Sequence, residues 1–156
     1  MTPEQLQMFE RVVRKSPPME APQSATHPFD SRNISEVLPK KIRKLFDDGH
    51  YSHAILDAFK FIEQMLRKGS NKPQGYGSGL IKYALEGDAP KVKLRCPETE
   101  EYGKFRDNFE KMLLGAFGNL RNPHGHKIIE LDPDQCLDEL TIAAYFIRNI
   151  IISDIT

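Results

Sequence analysis

Six consecutive residues bring chemistry together: Arg121, Asn122, Pro123, His124, Gly125 and His126. They join a permanent cation, two titratable imidazoles and a proline and a glycine that shape the backbone. Histidine, with an ordinary pKa of about 6.5, takes or gives a proton at neutral pH. Such transfer contributes about 10²- to 10⁴-fold to a rate. Arginine keeps its proton and presents a planar fork that fits phosphate oxygens. An Arg beside a His therefore suits cleavage of an RNA phosphodiester. His126 would activate the ribose 2′-hydroxyl, and Arg121 would hold the phosphate as charge builds on it. Asn122 precedes proline and is expected to leave helical geometry. That places Arg121 at a helix end, with His126 converging on it across a bend. An Arg and two His at a helix junction also serve as caps or solvated groups, and the residue types alone leave that reading open.

Asn122, His124 and Lys127 are the candidate substrate contacts. Asn122 would orient the bend or a phosphate, and Lys127 would touch RNA backbone. His124 is a second proton carrier, although its alternation with Gly125 turns it away from His126. Other residues carry weaker signals. His50 and His53 flank the start of a helix, with His53 off the apolar stripe and expected exposed. Glu63 reads as a surface group. Lys40, Lys41, Arg43 and Lys44 read as a solvated face or part of an RNA track. Tyr76, between two glycines, could stack on a base. No carboxylate cluster or Cys/His set has metal-ligand spacing, so neither metal nor cofactor is expected.

The elements that must position the motif are helices. Apolar residues recur three and four apart in Leu38, Ile42, Leu45 and Phe46, then in Tyr51, Ala54, Ile55, Ala58, Ile62, Met65 and Leu66. Asp47-Asp48-Gly49 separates these two stripes, and Gly69 ends the second. Ser70 to Gly79 is a loop, and Leu80 to Leu85 a candidate short helix. A third long helix is predicted from about Glu98 to Leu120, with Gly115 and Gly118 as places where another backbone can come close. A fourth opens at Asp132-Pro133-Asp134-Gln135, which has the residues of a capping box with proline at the first position. Ile150 to Ile152 lie in phase with it. The fold class is all-α: a four-helix bundle with an extra N-terminal helix on a Pro-rich linker. Thr2 to Lys15 forms that helix, as an arm or a flap, and Pro17, Pro18, Pro22 and Pro28 punctuate the linker. The domains are therefore residues 1–33, helix and linker, and 34–156, the bundle.

Composition bounds the partners. The 156 residues suit one domain. Lys+Arg and Asp+Glu both number 22, so no overall basic charge announces a polyanion. The distribution is uneven, however: Pro39 to Lys72 holds eight basic residues against four acids, and a local field suffices for polyanion binding. Cys96 and Cys136 lack CxxC spacing and read as reduced thiols. With no apolar leader and no run near the roughly 20 apolar residues of a membrane span, a cytoplasmic protein without membrane contact is expected.

Arg121-Asn122-x-x-x-His126 resembles the Arg-x4–6-His motif of the HEPN superfamily, including the polar residue after the arginine. Gly49-His50-Tyr51, the segment Ala54 to Arg67, and Gly115-Ala116-Phe117 leading into Arg121-Asn122-Pro123-x-Gly-His resemble the Ymh-type family of conserved hypothetical proteins. That family is grouped with HEPN proteins. The resemblance covers roughly Leu38 to Ile152. It implies a HEPN-type bundle that forms a homodimer with a composite active site, two Arg121 flanking the scissile phosphate and two His126 dividing base and acid roles. The implied activity is metal-independent endoribonuclease cleavage to 2′,3′-cyclic phosphate and 5′-hydroxyl ends. Many relatives are toxins or abortive-infection effectors against phage, which implies a neutralising antitoxin or an associated defence protein as partner. Some HEPN toxins carry a tyrosine soon after the motif histidine, where a partner nucleotidyltransferase modifies them; here Lys127-Ile128-Ile129 follows. The alternatives are a catalytically silent HEPN bundle, serving as a nucleotide- or RNA-binding or dimerisation module, and a nucleic-acid-binding regulator that uses the arm.

Overall fold

The computed structural model describes residues 2–15 and 25–152. These are mostly helical, and no helix among them is long and apolar enough to cross a membrane. In chain order the elements are α1 (Pro3–Lys15), α2 (Pro28–Ser31), α3 (Lys40–Asp47), α4 (Tyr51–Gly69), α5 (Gly77–Leu85), β1 (Lys93–Leu94) and α6 (Tyr102–Ala116). A π turn (Phe117–Arg121), α7 (Asn122–His126), α8 (Pro133–Asn149) and β2 (Ile150–Ile151) complete them. α1 opens on a side-chain cap: the Thr2 hydroxyl accepts from Gln5 N at 3.3 Å. Pro17, Pro18 and Pro22 of the expected linker lie outside the described residues.

α4 is the central helix, with α3, α5, α8 and the segment 117–126 all packed on it. It begins after Gly49, whose φ of +78° turns the chain sharply away from α3. Ala54, Ile55, Ala58, Phe59, Ile62 and Leu66 are all fully enclosed. α8 supplies the facing layer with Leu137, Leu140, Ala143, Ala144 and Phe146. Its capping box forms as the sequence proposes: Asp132 Oδ1 accepts from Gln135 N at 2.9 Å, and Gln135 Oε1 accepts from Asp132 N at 3.2 Å.

Three local expectations change. The end of the linker is structured: α2 starts at Pro28, His27 caps it through Nδ1, and Phe29 enters the core, so the packed body begins ahead of residue 34. The β-branched run after Asn149 leaves the helix, and Ile150–Ile151 pair antiparallel with Lys93–Leu94. Stiff branched side chains favour the extended state once a partner edge is present. The third change bears on the site. Asn122 is not pushed out of the helix, since its φ and ψ are −65° and −42°. The helix of α6 runs on through the π turn into α7 and ends only at Lys127, which is extended. Proline both lacks the N–H of the helical ladder and crowds the carbonyl four residues back. The π turn relieves this by switching to five-residue bonds, Asn122 N–H donating to Phe117 O, one residue before Pro123.

Candidate functional site

Because helix continues through the motif, the expected bend between Arg121 and His126 is absent. Residues five apart on an α-helix lie roughly 140° apart around its axis, so each side chain finds its own surroundings. The Arg121 side chain is mostly enclosed and its Nη2 donates to Glu63 Oε2 of α4 at 3.4 Å. Its Nε is buried without a partner among the described residues. Glu63, read from sequence as a surface group, is only 3% exposed. Its second oxygen accepts from Gly77 N at 2.8 Å, which ties the start of α5 to the same carboxylate. Gly125 gives the guanidinium its path: a Cβ there would stand 3.1 Å from Arg121 Nη1 and 3.8 Å from Leu56 Cδ1. A side chain there would press on the guanidinium and require it to shift by a few tenths of an ångström.

His126 is exposed and has no hydrogen-bond partner among the described residues, and Asn122 and Lys127 are exposed as well. His124 is placed differently from a substrate contact. It is buried, with Nδ1 2.7 Å from the Ser52 hydroxyl and Nε2 3.0 Å from Glu139 Oε2. A carboxylate only accepts, so Nε2 carries a proton and donates it to Glu139. Ser52 Oγ also accepts from Ile129 N at 3.2 Å. This chain of bonds joins α4, α7, α8 and the segment after the motif, and it turns His124 inward as a clamp. Phe59 and Phe117, edge to face at 5.3 Å, pack α4 against the π turn.

The other candidates divide. His53 is exposed, as its position off the stripe suggests, and its ring stands 6.1 Å from that of His50. Tyr76 is exposed. The basic cluster of α3 is largely matched by carboxylates: Lys41 pairs with Asp57 at 2.6 Å, Arg43 with Asp30 at 3.5 Å and Lys44 with Asp48 at 2.7 Å. The hydrogen bond to Asp48 raises the Lys44 ammonium above its ordinary value and holds the Asp48 carboxyl below its own. A polyanion on α3 would have to displace these partners. Among the described residues no three His, Cys, Asp or Glu side chains gather as metal ligands. One cleft of about 320 Å³ lies between α3 and α4, and another of about 290 Å³ lies between the start of α4 and residues 128–131. Neither is lined by Arg121 or His126.

Fold and site together define a mostly helical domain in which a buried carboxylate holds an arginine near a glycine, five residues before an exposed imidazole. The chain belongs to the family described as Protein of unknown function (Hypoth_ymh), whose model matches residues 32–150. No curated protein and no solved structure gives a significant match.

Proposed function

We propose that this chain is a HEPN-type, metal-independent endoribonuclease that works as a homodimer in the cytoplasm, as a toxin or phage-defence effector held in check by a partner protein. The observation that carries the reading is the contrast within one short helix. Arg121 is oriented by Glu63 alongside Gly125, whereas His126, five residues further on, is exposed and has no hydrogen-bond partner among the described residues. A pre-oriented guanidinium stabilises developing phosphate charge without reorganising. A free imidazole is available to substrate.

In this mechanism one His126 removes the proton from a ribose 2′-hydroxyl, and the 2′-oxygen attacks the adjacent phosphorus. The P–O5′ bond breaks, and the partner copy's imidazolium delivers a proton to the leaving 5′-oxygen. The products are a 2′,3′-cyclic phosphate and a 5′-hydroxyl. Arg121 from each copy flanks the phosphate as the equatorial oxygens gain charge. One copy offers a single Arg121 and a single His126, so two are needed for both proton transfers.

One observation favours the silent module instead: Glu63 sits against Arg121 and offsets its charge. Incubation with structured RNA in EDTA separates the two readings. The nuclease reading expects cleavage by wild type and a loss of about 10²-fold or more in Arg121→Ala and in His126→Ala, with cyclic phosphate ends. Equal rates in all three proteins, or none in any, would favour the silent bundle.

A further inference from the structure

We infer that the cleft between the start of α4 and residues 128–131 is a subsite for one unpaired nucleobase of a single-stranded RNA. This rests on the nuclease reading for its purpose, though not for its geometry. The cleft is lined by Gly49, His50, Tyr51, Ser52 and His53 on one side and by Ile128, Ile129, Glu130 and Leu131 on the other. Three of these residues are rings with faces suited to stacking, and Ile128 and Leu131 supply apolar surface opposite them. Glu130 adds a hydrogen-bond acceptor for the amino group or ring N–H at a base edge. Aromatic faces and apolar walls with a polar group at one edge recognise a flat heterocycle better than a phosphate.

Size and position narrow the occupant. About 290 Å³ is at the low end of what small-molecule sites offer, which admits one ring system and no duplex. Ile128 follows His126 by two residues, a path of at most about 7 Å. The base of a nucleotide next to the one being cut would therefore be within reach of this opening. Ile128, one of the residues lining the cleft, is 73% exposed and offers apolar surface to an incoming ring.

The cleft is also built in advance. Ser52 is one of its lining residues and receives the Ile129 N–H, and Ser52 is in turn held by His124, which is fixed by Glu139. The same clamp therefore seats the motif helix and sets the spacing of the two cleft walls. Binding a base then needs little ordering of the protein, which favours affinity. Lys127, exposed between His126 and the cleft, is placed to meet the connecting phosphate.

The test uses 2′-O-methyl oligoribonucleotides, which lack the attacking hydroxyl and cannot be cut by this mechanism. Fluorescence anisotropy would compare single strands bearing bases, an abasic strand of equal length, and a perfect duplex. The base-bearing single strand should bind about tenfold or more tightly than the abasic strand or the duplex. The double variant His50→Ala/His53→Ala, altered at two exposed positions, should lose most of that difference while keeping its helical content. Equal affinity for abasic and base-bearing strands, or an unchanged preference in the double variant, would overturn the subsite. Cleavage of unmodified RNA is followed in parallel. Cleavage without a base preference leaves the nuclease and removes the cleft; a base preference without cleavage does the reverse.

Discussion

Glu63 serves two partners at once, the Arg121 guanidinium and the Gly77 amide, from inside the protein. Removing a buried acceptor leaves both donors unpaired, and each loss carries a desolvation penalty. Glu63→Ala should therefore lower stability by about 1–3 kcal/mol, at the modest end because Arg121 keeps some contact with water. Glu63→Gln retains an acceptor for Gly77 N–H and should lose less. Urea midpoints at constant m would check both, and an alanine variant as stable as wild type would show that the pair holds nothing in place. The pair was not legible in the sequence because α4 shows a strong single stripe that draws attention to one face. Phe59 and Glu63, four apart, form a second row that is also enclosed. The large apolar Phe59 was the available sign that α4 is covered on more than one side. Arg121 and His126 stood out by residue type, whereas the inward turn of His124 depends on Ser52 and Glu139, more than ten positions away in each direction.

At the level of elements, legibility followed the range of the interaction that decides each one. The capping box at Asp132, the stop at Gly49 and the stripes of α4 and α8 are local, and the sequence displays them. The π turn is also local in cause, but Asn-Pro signals a break as readily as a bulge, and packing of Phe117 on Phe59 favours keeping the helix. The β1–β2 pair joins segments more than fifty residues apart, which no periodicity can announce. The seating of α8 can be tested through its cysteine. Cys136 is fully enclosed in the layer facing α4, and burial, with Glu139 adding to it, pushes its thiol up to about 12. Cys96 lies outside the helices and is partly accessible, though slight burial and Glu100 raise it too. Only the thiolate attacks a disulfide reagent. At pH 8 the folded protein should therefore titrate as one fast thiol, Cys96, with the second appearing only as the chain unfolds. Two thiols reacting at similar rates without denaturant would mean that α8 is not packed as described.

For the whole molecule, the question is where a second copy would sit. Met112, Gly115, Gly118, Asn119, Asn122 and His126 are all exposed, and they recur at three- and four-residue steps along α6, the π turn and α7. The sequence suggested that Gly115 and Gly118 admit a close neighbour. Among the described residues nothing approaches either, since an added Cβ would meet no atom within 4 Å. Two glycines on an open face are costly in a helix, about 1 kcal/mol each relative to alanine, and gain nothing from the described residues of their own chain. A two-fold related copy pressed against this face would use them, because small residues let helix backbones meet, and a two-fold axis running along the helix would bring the two His126 side chains to one end of the contact. Gly115→Arg and Gly118→Arg therefore separate folding from assembly. Each side chain has free space in one copy, so the variants should keep their helical content, and Gly115→Arg should be at least as stable as wild type. In sedimentation the wild type should run as a dimer and the variants as monomers, with RNA cleavage falling as far as in His126→Ala. Variants that remain dimeric and fully active would place the interface elsewhere, and a wild type that cuts RNA as a monomer would remove the shared site altogether.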